Sequence, residues 1–180
     1  MQISLLVDIV KGELVIAPLV SFITQIETNP SKVKDGVLFV AKNTKDIPLA
    51  IQNGAFAILF DKDTVIIDNE IAWIKVDSTK EALLRLIRFY LSSKNLQGYF
   101  CNSVSFDMLK LYAYLNKDLL FLTNDIFDDF KLLLNIKNNN IIFRTDIKYI
   151  NTLIPLSKEF IVKDNYKIDN LIQHSLFYTT

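Results

Sequence analysis

The side chains with the types and spacing for chemistry fall into a few groups. Lys34 precedes the apolar run Val37-Leu38-Phe39-Val40-Ala41, and Lys42 and Lys45 follow it. Asn102, Ser103 and Ser105 sit where a short apolar segment passes into a helical pattern. Ammonium groups together with a helix N-terminus suit an anionic ligand, because free backbone N–H groups and positive charge both favour negative oxygen. These six residues are the candidate ligand-binding set, and no residue is a catalytic candidate.

Other groups read as structural. Asn124, Asp125, Asp128 and Asp129 supply carboxylates, but a divalent cation needs converging oxygens from further segments. A helix cap at Asn124 or Asp125, with two acids in the first turn, explains the same residues. Cys101 has no basic neighbour in sequence and reads as a structural thiol rather than a nucleophile. His174 lies among Leu171, Ile172, Leu176 and Phe177 with no partner at a suggestive spacing, so it reads as packed or surface. Phe39, Phe56, Phe60, Trp73, Phe89 and Tyr90 lack interleaved basic residues and read as core. No Cys/His spacing suits a metal, and no cofactor is expected.

Composition narrows the class. The 180 residues are 51% hydrophobic and 22% charged, enough for a substantial core. Lys+Arg and Asp+Glu both number 20, so there is no basic surplus for general nucleic-acid binding. Met1-Gln2-Ile3-Ser4 lacks a basic leader, and no apolar run reaches the roughly 18 residues of a bilayer span. A cytoplasmic chain without membrane insertion is expected.

The elements that must position these residues follow from periodicity and punctuation. Ile3 to Val10 reads as a helix stopped at Lys11-Gly12. Strands are expected at Glu13 to Ala17, Phe22 to Glu27, Val37 to Ala41, Ala55 to Phe60, Thr64 to Ile67 and Ala72 to Val76. Asp46 is the expected cap of a short helix that carries Pro48 in its first turn and ends at Asn53-Gly54. Ser78 and Glu81 form a capping box opening a helix to about Ser92. Ser92-Ser93-Lys94-Asn95 reads as a hinge. Beyond it, strands at Gly98, Leu119, Ile141 and Phe160 alternate with helices at Ser105, Ile126, Ile147 and Ile168. That alternation predicts a parallel sheet. The fold class is α/β, with units at 1–93 and 94–180.

The order of these residues resembles the Mur ligases. The helix-Gly-strand opening, Val33-Lys34-Asp35-Gly36 with Leu38-Phe39-Val40-Ala41, Gly54-Ala55, Ile74-Lys75-Val76-Asp77, and Ala82-Leu83 with Arg88-Phe89-Tyr90 follow the family's sequence over about Ile3 to Ala113. The resemblance implies an N-terminal domain that holds the uridine end of a nucleotide sugar in peptidoglycan synthesis. It also implies that a degenerate start of the ATP-binding domain follows.

The chain departs from that pattern in three places. Asn29-Pro30-Ser31 stands where the family has Asp-Ser-Arg. Only Lys42-Asn43-Thr44-Lys45 stands where the family has a longer, Gly-containing loop. The family's phosphate loop needs glycines for close backbone approach, a Lys, and a Ser/Thr for Mg²⁺. Here Gly98-Tyr99-Phe100-Cys101-Asn102-Ser103-Val104-Ser105-Phe106-Asp107 lacks the loop glycines and the Lys. The expectation is a non-catalytic relative that binds or scaffolds in cell-wall synthesis, with a uridine nucleotide-sugar or a protein as partner. The alternatives are a nucleotide-sugar-binding protein or ligase-like enzyme with a ligand site between the halves, and an unrelated α/β interaction module.

Overall fold

The computed structural model describes residues 1–17 and 22–161. Helix α1 (Ile3–Val10) buries Ile3, Leu6 and Val10, one turn or two apart on a single stripe. Its stop differs from expectation. Lys11 itself takes the left-handed position at φ 55, so Gly12 is there for space. A Cβ on Gly12 would lie 2.7 Å from the Ile74 side chain. This lets the chain turn closely into β1 (Glu13–Ile16) beside β5 (Ala72–Lys75).

The first sheet adds β2 (Gln25–Glu27), β3 (Val37–Val40) and β4 (Ala55–Phe60), in the order β1-β5-β4-β3-β2. Only β1 is antiparallel. Strand alternation sorts its side chains. Leu38, Val40, Ala57, Leu59 and Ile74 join the core shared with α1 and α3 (Thr79–Leu91). Val37, Phe39, Ile58, Phe60 and Trp73 face the other way, with Ile47 and Ala50 of α2 (Ile47–Gln52). A sheet covered on both faces explains why β3 and β4 are apolar throughout. Gly54 turns α2 into β4 at φ +96, and an added Cβ there would strike the Asp35 carboxylate.

The second sheet contains β6 (Gln97–Phe100), β7 (Leu119–Phe121), β8 (Ile141–Arg144) and β9 (Lys158–Glu159), all parallel, in the order β7-β8-β6-β9. Helices α5 (Ile126–Leu134) and α6 (Ile147–Leu153) cover one face and pack on α3. Helix α4 (Ser103–Tyr112) touches the aromatic row on the other face. There Phe121, Phe143 and Tyr99 stack at 5.4 and 5.6 Å, and Phe106 of α4 meets Phe121 edge-on.

The two sheets do not swing on a free hinge. Leu83, Leu86 and Ile87 belong to one continuous core with Ile126, Phe130, Leu133 and Ile150. The expected hinge is pinned, since the Asn95 side-chain amide donates to Asn139 at 3.1 Å and its backbone N–H to Asn138 at 3.3 Å.

Several expected elements differ. Thr64 to Ile67 forms no strand: both sides of β5 are taken, by β1 and β4, and Val65 is 77% exposed. The strand from Phe22 is confined to Gln25–Glu27, and Phe22 makes only an isolated bridge to Gln2. Asp46 makes no side-chain cap; a 3₁₀ turn over Thr44–Asp46 leads into α2 instead. Half of the capping box forms, with Ser78 accepting from the Glu81 N–H while the Glu81 carboxylate pairs with Arg85. Phe89, expected in the core, is 44% exposed. The last strand is Lys158–Glu159 rather than a run from Phe160. Residues 162 and 163, the expected helix from Ile168, and His174 lie outside the described residues.

Candidate functional site

The strand-to-helix junction after β6 is the place where a nucleotide phosphate would sit in an α/β sheet. Here it is two residues long. Phe100 ends the strand, Cys101 and Asn102 connect, and Ser103 opens α4. The Cys101 N–H is spent on the Arg144 carbonyl at 3.0 Å. The Asn102 side chain accepts the Ser105 N–H at 2.8 Å, and the Asn102 carbonyl accepts from Phe106. The junction is therefore capped by its own asparagine and has no loop to wrap a phosphate. That cap also starts α4 two residues earlier than the sequence pattern suggested. Ser105 is buried at 6%, whereas Asn102 and Ser103 face solvent. Burial pushes the Cys101 thiol up, which keeps it protonated and inert.

The candidate lysines do not converge on this junction. Lys34 lies before β3 and Lys42 and Lys45 lie after it, so they stand at opposite ends of that strand. Lys42 instead reaches the second sheet at the end of β7. Its ammonium donates to Asp125 at 2.7 Å and lies 5.2 Å from the centre of the Phe127 ring. The hydrogen bond from Asp125 raises the Lys42 pKa, and the same bond lowers that of Asp125. Strand β7 stands two places from β6 in the sheet, roughly 10 Å across at the usual strand spacing. Lys42 thus meets the start of α5, and Lys34 and Lys45 are exposed.

Asp125 also caps α5 through the Phe127 N–H, as its sequence position indicated. Asp128 and Asp129 stand in the first turn of α5, as expected, and Asp129 has a further role. It is 3% exposed, accepts the Thr123 N–H at 2.8 Å, and lies 3.6 Å from the Arg144 guanidinium. Burial pushes its carboxyl up, against the pull of Thr123, Arg144 and Tyr149. Arg144 is 2% exposed, stacks 3.4 Å over the Tyr149 ring, and donates to the Thr123 carbonyl and the Asn124 side chain. This buried network fixes the β7–α5 connection, and so fixes where Asp125 meets Lys42. Its sequence signal was small: one Arg closing the apolar run Ile141-Ile142-Phe143, with acids one turn into the preceding helix. No group of His, Cys, Asp or Glu able to hold a metal occurs among the described residues. No helix among the described residues is long and apolar enough to cross a membrane.

The backbone fold is similar to that of solved Mur ligases. A crystal structure of MurF from Acinetobacter baumannii superposes with a TM-score of 0.61 at 17% identity, covering 86% of this chain and 39% of that one. The UDP-N-acetylmuramoylalanyl-D-glutamyl-2,6-diaminopimelate–D-alanyl-D-alanyl ligase from the same organism gives 0.57 at 18%, over 86% and 40%. The MurF ligase from Thermotoga maritima, solved in complex with ADP, gives 0.55 at 22%, over 73% and 35%. The fold is thus Mur-ligase-like, and the chain spans about two fifths of the length of these ligases. No family model matches the chain, and no curated protein is significantly similar to it in sequence.

Proposed function

We propose that this protein is a non-catalytic, Mur-ligase-like binding or scaffolding protein acting in the cytoplasm in peptidoglycan synthesis. Residues 1–93 form its nucleotide-sugar-domain-like unit, and residues 94–180 a degenerate remnant of an ATP-binding domain. The observation that carries this reading is the β6–α4 junction. Its two-residue length, the Asn102 cap and the absence of a loop Lys leave nothing to cradle and neutralise a triphosphate.

A uridine nucleotide-sugar remains the best small-molecule candidate, with the Lys42–Lys45 segment beside the end of β3 as its contact. Anion binding there competes with Asp125 for the Lys42 ammonium. A thermal-shift experiment tests both parts. A ligand present at 100 times its Kd stabilises the fold by about 2.7 kcal/mol and raises Tm measurably. A UDP-N-acetylmuramoyl peptide is expected to give such a shift, and Mg-ATP is not. Stabilisation by Mg-ATP together with phosphate release would overturn the non-catalytic reading. With no shift from the uridine ligand, protein scaffolding is the function left standing.

A further inference from the structure

The open edge of the first sheet has chemistry that the nucleotide reading does not use. Strand β2 is the last in its sheet and pairs only with β3. The Thr24 N–H donates to Gly36 on the β3 side at 2.8 Å, and Ile26 follows two residues later. Hydrogen-bonding direction alternates along a strand, so the N–H and C=O groups of Gln25 and Glu27 point away from β3. None of these four groups has a hydrogen-bond partner among the described residues. Their spacing of about 6.6 Å is the two-residue repeat of an extended chain.

This edge borders an open cleft of about 390 Å³ lined by Ile26 and Glu27 of β2, by Tyr90, and by Phe130, Lys131 and Leu134 of α5. The Glu27 carboxylate lies at its end. One oxygen takes the Lys131 ammonium at 3.1 Å, and the other, Oε2, is buried without any partner. A buried carboxylate oxygen left unpaired costs free energy that an incoming N–H donor recovers.

We propose that this cleft binds an extended peptide segment of another protein, which adds as a strand to β2 and places an N–H-donor side chain on Glu27 Oε2. Backbone pairing with Gln25 and Glu27 supplies the register, as in other strand-addition complexes. The apolar wall from Ile26, Phe130 and Leu134 takes the alternate side chains, and Glu27 selects for the donor.

The probe is the capped peptide acetyl-Val-Thr-Lys-Thr-Val-amide, titrated into the full chain and followed by amide NMR. The expected result is saturable binding at a Kd of about 1 mM or tighter, with the largest shifts at Gln25 and Glu27. Replacing the peptide Lys by norleucine, or Glu27→Gln in the protein, is expected to weaken it about tenfold. Methylating the peptide's alternate backbone nitrogens is expected to abolish it, as is Gln25→Pro, which removes an outward N–H and leaves the β2–β3 ladder intact. The methylated peptide needs no protein variant, so the test holds even if Gln25→Pro unfolds. Absence of saturable binding, shifts centred elsewhere, or equal affinity for the lysine and norleucine peptides would overturn the proposal.

Discussion

Replacing Arg144 by methionine removes a charge from the most enclosed polar side chain among the described residues. Arg144 and Asp129 are both 2% exposed at their side chains, so water cannot take over for the lost partner. Asp129 would keep the Thr123 N–H at 2.8 Å and the Tyr149 hydroxyl at 3.4 Å, but no cation. Breaking one side of a buried ion pair in this way costs about 3–5 kcal/mol. The carbonyl of Thr123 and the side chain of Asn124 also lose a donor, yet both residues face solvent and are rehydrated at little cost. The double variant Arg144→Met with Asp129→Leu leaves no orphan charge, and its stability is expected within about 1–2 kcal/mol of the parent. Urea unfolding reads this directly as a change in midpoint at constant slope. The direction with pH is also set. The folded-state pKa of Asp129 is raised by burial, and losing Arg144 raises it further, so its contribution is present below its unfolded value and lost as pH rises through the folded one. The deficit of Arg144→Met therefore grows as pH rises above the ordinary carboxyl value of 3.8. A loss below about 1 kcal/mol at pH 7, or a double variant as unstable as the single one, would refute the buried-pair reasoning.

Other substitutions test the remaining links. Lys42→Ala with Asp125→Ala in a double-mutant cycle should give a coupling of about 0.2–1 kcal/mol, small because the pair is half exposed. That coupling should fade above the raised Lys42 pKa, beyond 10.5, and below the lowered Asp125 pKa, under 3.8, when unfolding is followed against pH. Gly54→Ala should destabilise by about 1–3 kcal/mol in thermal unfolding, since φ +96 strains any side chain and the new Cβ strikes Asp35. Leu38→Ala or Ile74→Ala, each fully buried in the first sheet, should cost about 2–5 kcal/mol in the same assay.

Much of the fold was readable because periodicity and punctuation agreed. Ala55–Phe60 and Ile141–Arg144 are apolar runs bounded by turn residues, and both are strands with those bounds. Ser78 and Asp125 announced their helices and cap them. Local signals failed where partners decided the outcome. Thr64 to Ile67 has strand residues, but the neighbouring sheet positions are taken. Asp129 was readable as a first-turn acid, but nothing local shows that Arg144 reaches it from β8. Lys34 and the Lys42–Lys45 segment flank β3 in sequence, and residues before and after one strand stand at its opposite ends. Asn102 was readable as part of a helix start, but its side chain fills the position a phosphate would need.

Isothermal titration of the full chain with Mg-ATP asks most directly whether the β6–α4 junction handles a nucleotide. The self-capped, lysine-free junction predicts no saturable heat at Mg-ATP concentrations up to about 1 mM, where even a binding free energy near −4 kcal/mol would register. Micromolar, Mg²⁺-dependent binding that is lost on changing Asn102, Ser103 or Ser105 would contradict it.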